Sequence, residues 1–215
     1  MSASAPSTDQ DRNRAPLSLY SLKPAFVARL RRVEDAAQMR GISPNTLTFT
    51  AVGLAALTGA CLIAGVGIPL LWLAVAPLGL ARMACNAVDG SLARRTDGTS
   101  ARGAVYNELG DRLSDAVTFA ALAPAIGAPL ALSVVVVALS TSLVAVTASA
   151  VVGERMAVGP MGKPDRVAVI SAAAACAALA GPGALVAGAW VIIVLGCITV
   201  IRRTSALQLA TRSQA

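Results

Sequence analysis

From Asn45 to Ile201 the chain repeats apolar runs separated by short polar connections, each run about twenty residues long. A bilayer core about 30 Å thick takes about 20 helical residues to cross, so the repeat selects lipid as the solvent of this fold. The run lengths predict spans at 45–66, 69–92, 102–123, 129–152, 167–180 and 184–201, the last two parted by Gly181-Pro182-Gly183. The expected fold class is an all-α integral membrane protein with six transmembrane helices. Composition agrees: 56% of residues are hydrophobic but only 3% are aromatic. Ala, Leu, Val and Gly dominate instead, as in membrane helices whose small residues let backbones approach.

The flanks read differently. Residues 1–16 are polar and suit a disordered cytoplasmic tail. Residues 17–35 set Leu19, Leu22, Phe26, Leu30 and Val33 at helical spacing, with Lys23, Arg29, Arg31 and Arg32 between them. That pattern fits an N-terminal amphipathic helix lying in the membrane interface, or an amphipathic helix packed on protein. The membrane domain then covers 17–203, and 204–215 form a cytoplasmic tail.

Charge sets the orientation. Segments 24–44, 94–102, 153–166 and 202–215 hold nearly all the Lys and Arg outside the first tail, while the turns near Gly65, Gly127 and Gly181 hold none. By the positive-inside rule the basic side, with both termini, faces the cytoplasm of an inner or plasma membrane. The same distribution argues that the net charge of +7 serves topology and not nucleic acid. Cys61, Cys85, Cys176 and Cys197 fall singly in apolar runs and read as packing residues. There is no histidine, so any metal must be held by oxygen, which favours Mg²⁺, Mn²⁺ or Ca²⁺.

Between Asn86 and Asp115 the apolar rule breaks, in NAVDGSLARRTDGTSARGAVYNELGDRLSD. An ionised carboxylate at the centre of a membrane helix costs about 2.5–3.5 kcal/mol on insertion scales, so Asp89, Asp111 and Asp115 mark a wet, working site. Asn86, Asp89 and Ala93 share one helical face near the end of the second span. Gly103, Asn107, Asp111 and Asp115 recur every fourth residue down the third. The short loop between makes the two spans antiparallel neighbours whose oxygens can cage a hard divalent cation. Gly90 and Gly103 clear room for a phosphorylated ligand, and Arg94 offers a forked phosphate donor. Arg82, one turn before Asn86, is placed to meet Asp89 or a bound phosphate.

These residues carry a resemblance. Asp89-Gly90-x2-Ala93-Arg94-x8-Gly103-x3-Asn107-x3-Asp111 resembles the signature of the CDP-alcohol phosphotransferases, D-x2-D-G-x2-A-R-x8-G-x3-D-x3-D. Ile42-Ser43-Pro44-Asn45-Thr46-Leu47-Thr48 also resembles the segment that opens that family's first span. The resemblance implies a phospholipid-synthesising transferase that moves a phosphatidyl group from CDP-diacylglycerol, or another CDP-alcohol, to a small polar alcohol and releases CMP. It implies Mg²⁺ or Mn²⁺ at Asn86, Asp89, Asn107 and Asp111, with Asp111 also the catalytic base. Gly90, Ala93, Arg94 and Gly103 then line the nucleotide and its phosphates, and a homodimer is implied.

The departure is that Asn86 and Asn107 replace two of the four signature aspartates. Glu108 and Asp115 are the candidate replacements for the missing carboxylates. Arg155, Lys163 and Arg166, on the loop VGERMAVGPMGKPDR, serve either topology alone or the phosphate of a phosphorylated acceptor. The two amides also suggest the alternative of a catalytically weakened membrane protein that binds CDP-lipid or metal without turnover. An intramembrane prenyltransferase would need a second Asp-rich motif and more spans.

Overall fold

The computed structural model describes residues 31–95, 101–153 and 155–212. Among them run eight α-helices: α1 Arg31–Met39, α2 Pro44–Ala64, α3 Val75–Arg95, α4 Ala101–Ala120, α5 Ala123–Ile126, α6 Ala128–Val152, α7 Lys163–Ala180 and α8 Gly183–Arg212. A 3-10 segment, Pro69–Ala74, leads into α3. Of the expected interfacial helix over 17–35, residues 17–30 lie outside the described chain, and residues 31–35 belong to the short α1.

Local chemistry fixes the helix ends. Ser43 caps α2, its Oγ accepting from the Thr46 N–H at 3.2 Å, and Pro44 takes the first helical position. The helix of the third expected span, α4, stops at Ala120, short of the expected 123, because Pro124 comes next and restarts the chain as the short α5. The helix of the fifth expected span, α7, starts at Lys163, four residues before the expected 167. There Asp165 accepts from the Gly162 N–H at 2.7 Å, tying the first turn to its cap. The last helix continues to Arg212, so residues 204–212 extend it and do not form a separate tail.

Among the described residues, four stretches are long and apolar enough to cross a membrane: Pro44–Ala64, Pro69–Ala93, Ala128–Val152 and Gly183–Arg212. The other two expected spans exist as helices, α4 and α7, but they carry charge: Glu108, Asp111, Arg112 and Asp115 on one, Lys163, Asp165 and Arg166 on the other. Outside one apolar plug, many large side chains point outward and small ones inward. Leu109, Leu143, Leu179 and Ile201 are exposed, whereas Ala55, Ala131, Ala138, Ala174 and Ala189 are fully buried. This is the packing expected where the surroundings are as apolar as leucine and close backbone approach supplies the attraction. Gly188 shows the tolerance: a Cβ there would lie 2.6 Å from the Ala173 Cβ. Cys61 and Cys85 are half-buried, but Cys176 and Cys197 are exposed, so the packing expectation fits only the first pair.

The six long helices close a ring in the order α2, α4, α6, α8, α7, α3. Its two ends differ. One end is an apolar plug built from Leu62, Trp72, Phe119, Leu122, Val134, Leu185 and Ile192. The other, reached by the starts of α2, α4 and α7 and the ends of α3, α6 and α8, buries Thr48, Arg82, Asp89, Asp115, Arg166 and Arg203. The motif helices α3 and α4 both pack along α2 and, among the described residues, make no extended contact with each other. The expected direct packing of neighbours is therefore replaced by a gap, bridged by side chains.

Candidate active site

Asp89, on α3, is buried, and its carboxylate is half satisfied. Thr48 Oγ1 donates to Oδ2 at 3.1 Å, while Oδ1 is buried with no hydrogen-bond partner. A bare carboxylate oxygen in such a place costs about 1–3 kcal/mol or more, and a cation is the group that removes the cost. Across the gap Asp111 Oδ1 accepts from Asn86 Nδ2 at 3.2 Å and contacts the Lys163 ammonium. Asn107, half-buried one turn before Asp111, is on the same α4 stripe. Thus Thr48 of α2 meets Asp89 of α3, while Asn86 of α3 and Lys163 of α7 meet Asp111 of α4. The two carboxylates are oxygen donors of the kind a hard divalent ion takes, and one oxygen of Asp89 is orphaned. No group of three or more His, Cys, Asp or Glu suited to a metal occurs among the described residues. That reflects the chemistry of the chain, because two of the four signature positions are amides.

Asp115, one turn deeper, has another task. Its Oδ1 accepts from Arg82 Nη2 at 2.7 Å and its Oδ2 from Arg166 Nη2 at 2.8 Å, with all three side chains buried. Arg166 also donates to Thr141 Oγ1 at 2.7 Å and to Ser142 Oγ at 3.3 Å. With both oxygens taken by arginines, Asp115 does not replace a missing carboxylate, and Arg82, expected to meet Asp89 or a bound phosphate, pairs with Asp115. Glu108 is also engaged elsewhere: it pairs with Arg112 and with Arg155 Nη2, the latter at 3.1 Å, on the outer side of α4. The three expected acceptor-binding cations are consequently dispersed. Lys163 reaches Asp111, Arg166 is locked in the core, and Arg155 sits at the exposed edge.

Gly90 and Ala93, near the end of α3, and Gly103, in the first turn of α4, are half-buried. Arg94 belongs to the last turn of α3, and its side chain lies outside the described residues. Two participants escaped sequence reasoning. Thr48 was within reach, since it closes the Ile42–Thr48 segment that resembles the opening of the family's first span. Arg203 looked like topology charge, yet it is buried and donates to Val158 O at 2.9 Å and Thr141 O at 2.7 Å. With Met161 N–H on Thr199 Oγ1 at 2.9 Å, it straps the segment before α7 and so aims Lys163.

Comparison with known proteins settles the lineage. A model of the family described as CDP-alcohol phosphatidyltransferase matches residues 41–201. The chain belongs to that family. Its members are transferases of phosphate-containing groups, so this CDP-alcohol phosphatidyltransferase family member is an enzyme. It is 32% identical over 155 residues to the inner membrane protein YnbA of Escherichia coli strain K12, covering 71% of this chain and 77% of that protein. Among solved structures it is similar to Mycobacterium tuberculosis phosphatidylinositol phosphate synthase (PgsA1) in complex with manganese and citrate. That match has a TM-score of 0.66 at 21% identity, covering 82% of this chain and 88% of the other. The same synthase with CDP-DAG bound gives a TM-score of 0.62 at 22% identity, over 87% and 94% of the two chains. The helical fold of that synthase is thus shared here.

Proposed function

We propose that this transferase moves the phosphatidyl group of CDP-diacylglycerol, or of a related CDP-alcohol, onto a small polar alcohol and releases CMP. The observation that carries the reading is the facing pair of Asp89 and Asp111, the first with a buried orphan oxygen, in the polar end of a ring otherwise made for lipid. A Mg²⁺ or Mn²⁺ ion on Asn86, Asp89, Asn107 and Asp111 would neutralise the diphosphate and make CMP a better leaving group. The manganese of the similar synthase supports that choice.

Asp111 is the base. Asn86 and Lys163 hold its Oδ1, which fixes the ring-facing carboxylate and leaves Oδ2 to take the proton of the acceptor hydroxyl. As that oxygen bonds to the phosphorus of the phosphatidyl group, the bond from phosphorus to the CMP oxygen breaks. Gly90, Ala93, Arg94 and Gly103 line the nucleotide. In the membrane α4 and α7 complete six crossings, their charged residues turned into the polar end of the ring. That end and both termini face the cytoplasm, where CDP-linked donors and water-soluble alcohols meet, and two copies pair as a homodimer.

The test is CMP release from CDP-diacylglycerol by the purified protein, with Mg²⁺ or Mn²⁺ and a panel of alcohols, the lipid products identified by mass spectrometry. Asp111→Asn should abolish release while the protein stays folded. Tight binding of CDP-lipid without CMP, for every metal and alcohol, would show a binding protein in place of a transferase.

A further inference from the structure

The two carboxylates of the site are not equivalent. Asp89 presents a buried, unpartnered oxygen. Asp111 is already engaged by the chain itself: one oxygen receives both the Asn86 amide at 3.2 Å and the Lys163 ammonium. Amide N–H and ammonium groups are donors, so they occupy lone pairs of Oδ1 that a second metal would need, while Oδ2 stays open toward the ion held with Asp89. The lysine is not a stray surface group. It opens α7, whose first turn is tied by Asp165 to the Gly162 N–H at 2.7 Å and anchored by Arg166 to Asp115 at 2.8 Å and Thr141 at 2.7 Å. Charge points the same way. The signature site carries four aspartates; this one carries two, Asp89 and Asp111, plus the positive Lys163.

We propose that Lys163 is a built-in cation that fills the Asp111 half of the site, so that a single divalent ion binds, on the Asp89 side. A second divalent ion would stand against an ammonium at contact distance with two fewer carboxylates to hold it. The amides at Asn86 and Asn107 and the lysine at 163 then act together. Asn86 lends a donor to Asp111, and Lys163 puts a tethered cation where a removable ion would sit. This inference rests on reading the site as the divalent-ion centre of a transferase.

The experiment is Mn²⁺ titration of the purified full chain in detergent micelles without nucleotide, with free Mn²⁺ read by electron paramagnetic resonance. The wild type should bind one ion per chain. Lys163→Gln should bind Mn²⁺ about tenfold more tightly, because a like charge next to the site is gone. Lys163→Arg, which keeps the charge, should match the wild type. The combined variant Asn86→Asp, Asn107→Asp, Lys163→Gln should bind two ions. Two ions on the wild type, or no tightening in Lys163→Gln, would overturn the proposal. If Lys163→Gln does not fold, the wild-type stoichiometry still decides. CMP release measured on the same samples separates the two readings: one ion without CMP refutes transfer and leaves Lys163 standing, whereas two ions with CMP does the reverse.

Discussion

Replacing Asp115 by Asn tests whether this carboxylate belongs to the architecture or to the ion site. The change removes a charge and almost no volume. It leaves Arg82 and Arg166 buried side by side. Asn keeps one acceptor oxygen and turns an amide NH₂ toward the other arginine. Arg166 still has Thr141 at 2.7 Å and Ser142 at 3.3 Å, so Arg82, whose Nε is already without a partner, is the guanidinium left facing a donor when the oxygen goes to Arg166. Removing one partner of a buried ion pair costs about 3–5 kcal/mol, since the charge left behind stays desolvated. At about 2–4 °C per kcal/mol for a domain of this size, the unfolding midpoint should fall by roughly 6–20 °C. Tryptophan fluorescence of Trp72 and Trp190 in micelles would track it. A triple variant, Arg82→Met with Asp115→Leu and Arg166→Met, should recover most of the loss, because apolar groups of similar volume replace buried charges without penalty. Mn²⁺ affinity of Asp115→Asn should stay within about threefold of wild type, as for a residue sharing no ligand atom with the ion. A midpoint unchanged within about 3 °C, or lost Mn²⁺ binding at an unchanged midpoint, would refute the assignment and return Asp115 to the ion.

Three further outcomes are expected. Thr48→Val removes the hydroxyl that donates to Asp89 at 3.1 Å; a hydrogen bond to a charged group contributes about 1.5–3 kcal/mol, so Mn²⁺ affinity should change by roughly tenfold or more with the fold intact by circular dichroism. Gly188→Ala places a methyl 2.6 Å from the Ala173 Cβ, which cannot rotate aside; separating α7 from α8 should cost about 1–3 kcal/mol, read as a lower unfolding midpoint. Arg203→Met frees Val158 O and Thr141 O, and proteolysis of the segment before α7 should accelerate while the helical signal persists.

Much of this protein was written along its chain. Apolar run lengths located the six long helices to within a few residues at most ends, because crossing length in lipid is a one-dimensional property. Two of the errors fell where side chains cap helices or break them: Asp165 lengthened α7 backward, and Pro124 cut α4 short. The largest was at the end of α8, which runs on to Arg212 past the end of its apolar run. The residues of the proposed ion site stood out as well, since Asn86, Asp89, Asn107 and Asp111 keep fixed helical spacing. Their neighbours were not. Asp115 sits on the same stripe as Asp111, one turn away, so periodicity could not separate an ion ligand from a structural counter-charge. Glu108 likewise needed the position of Arg155, 47 residues distant.

The linear sequence decided the solvent of the fold, the order of its helices and which oxygens line one face of each motif helix, because these depend on local period and length. Only the closed ring decided what each polar group meets. It set α2 between α3 and α4, gave Thr48 to Asp89, took Asp115 for two arginines and swung Lys163 onto Asp111. Those partners come from four different helices, and long-range pairing of charges buried together has no signature in the spacing along any one of them.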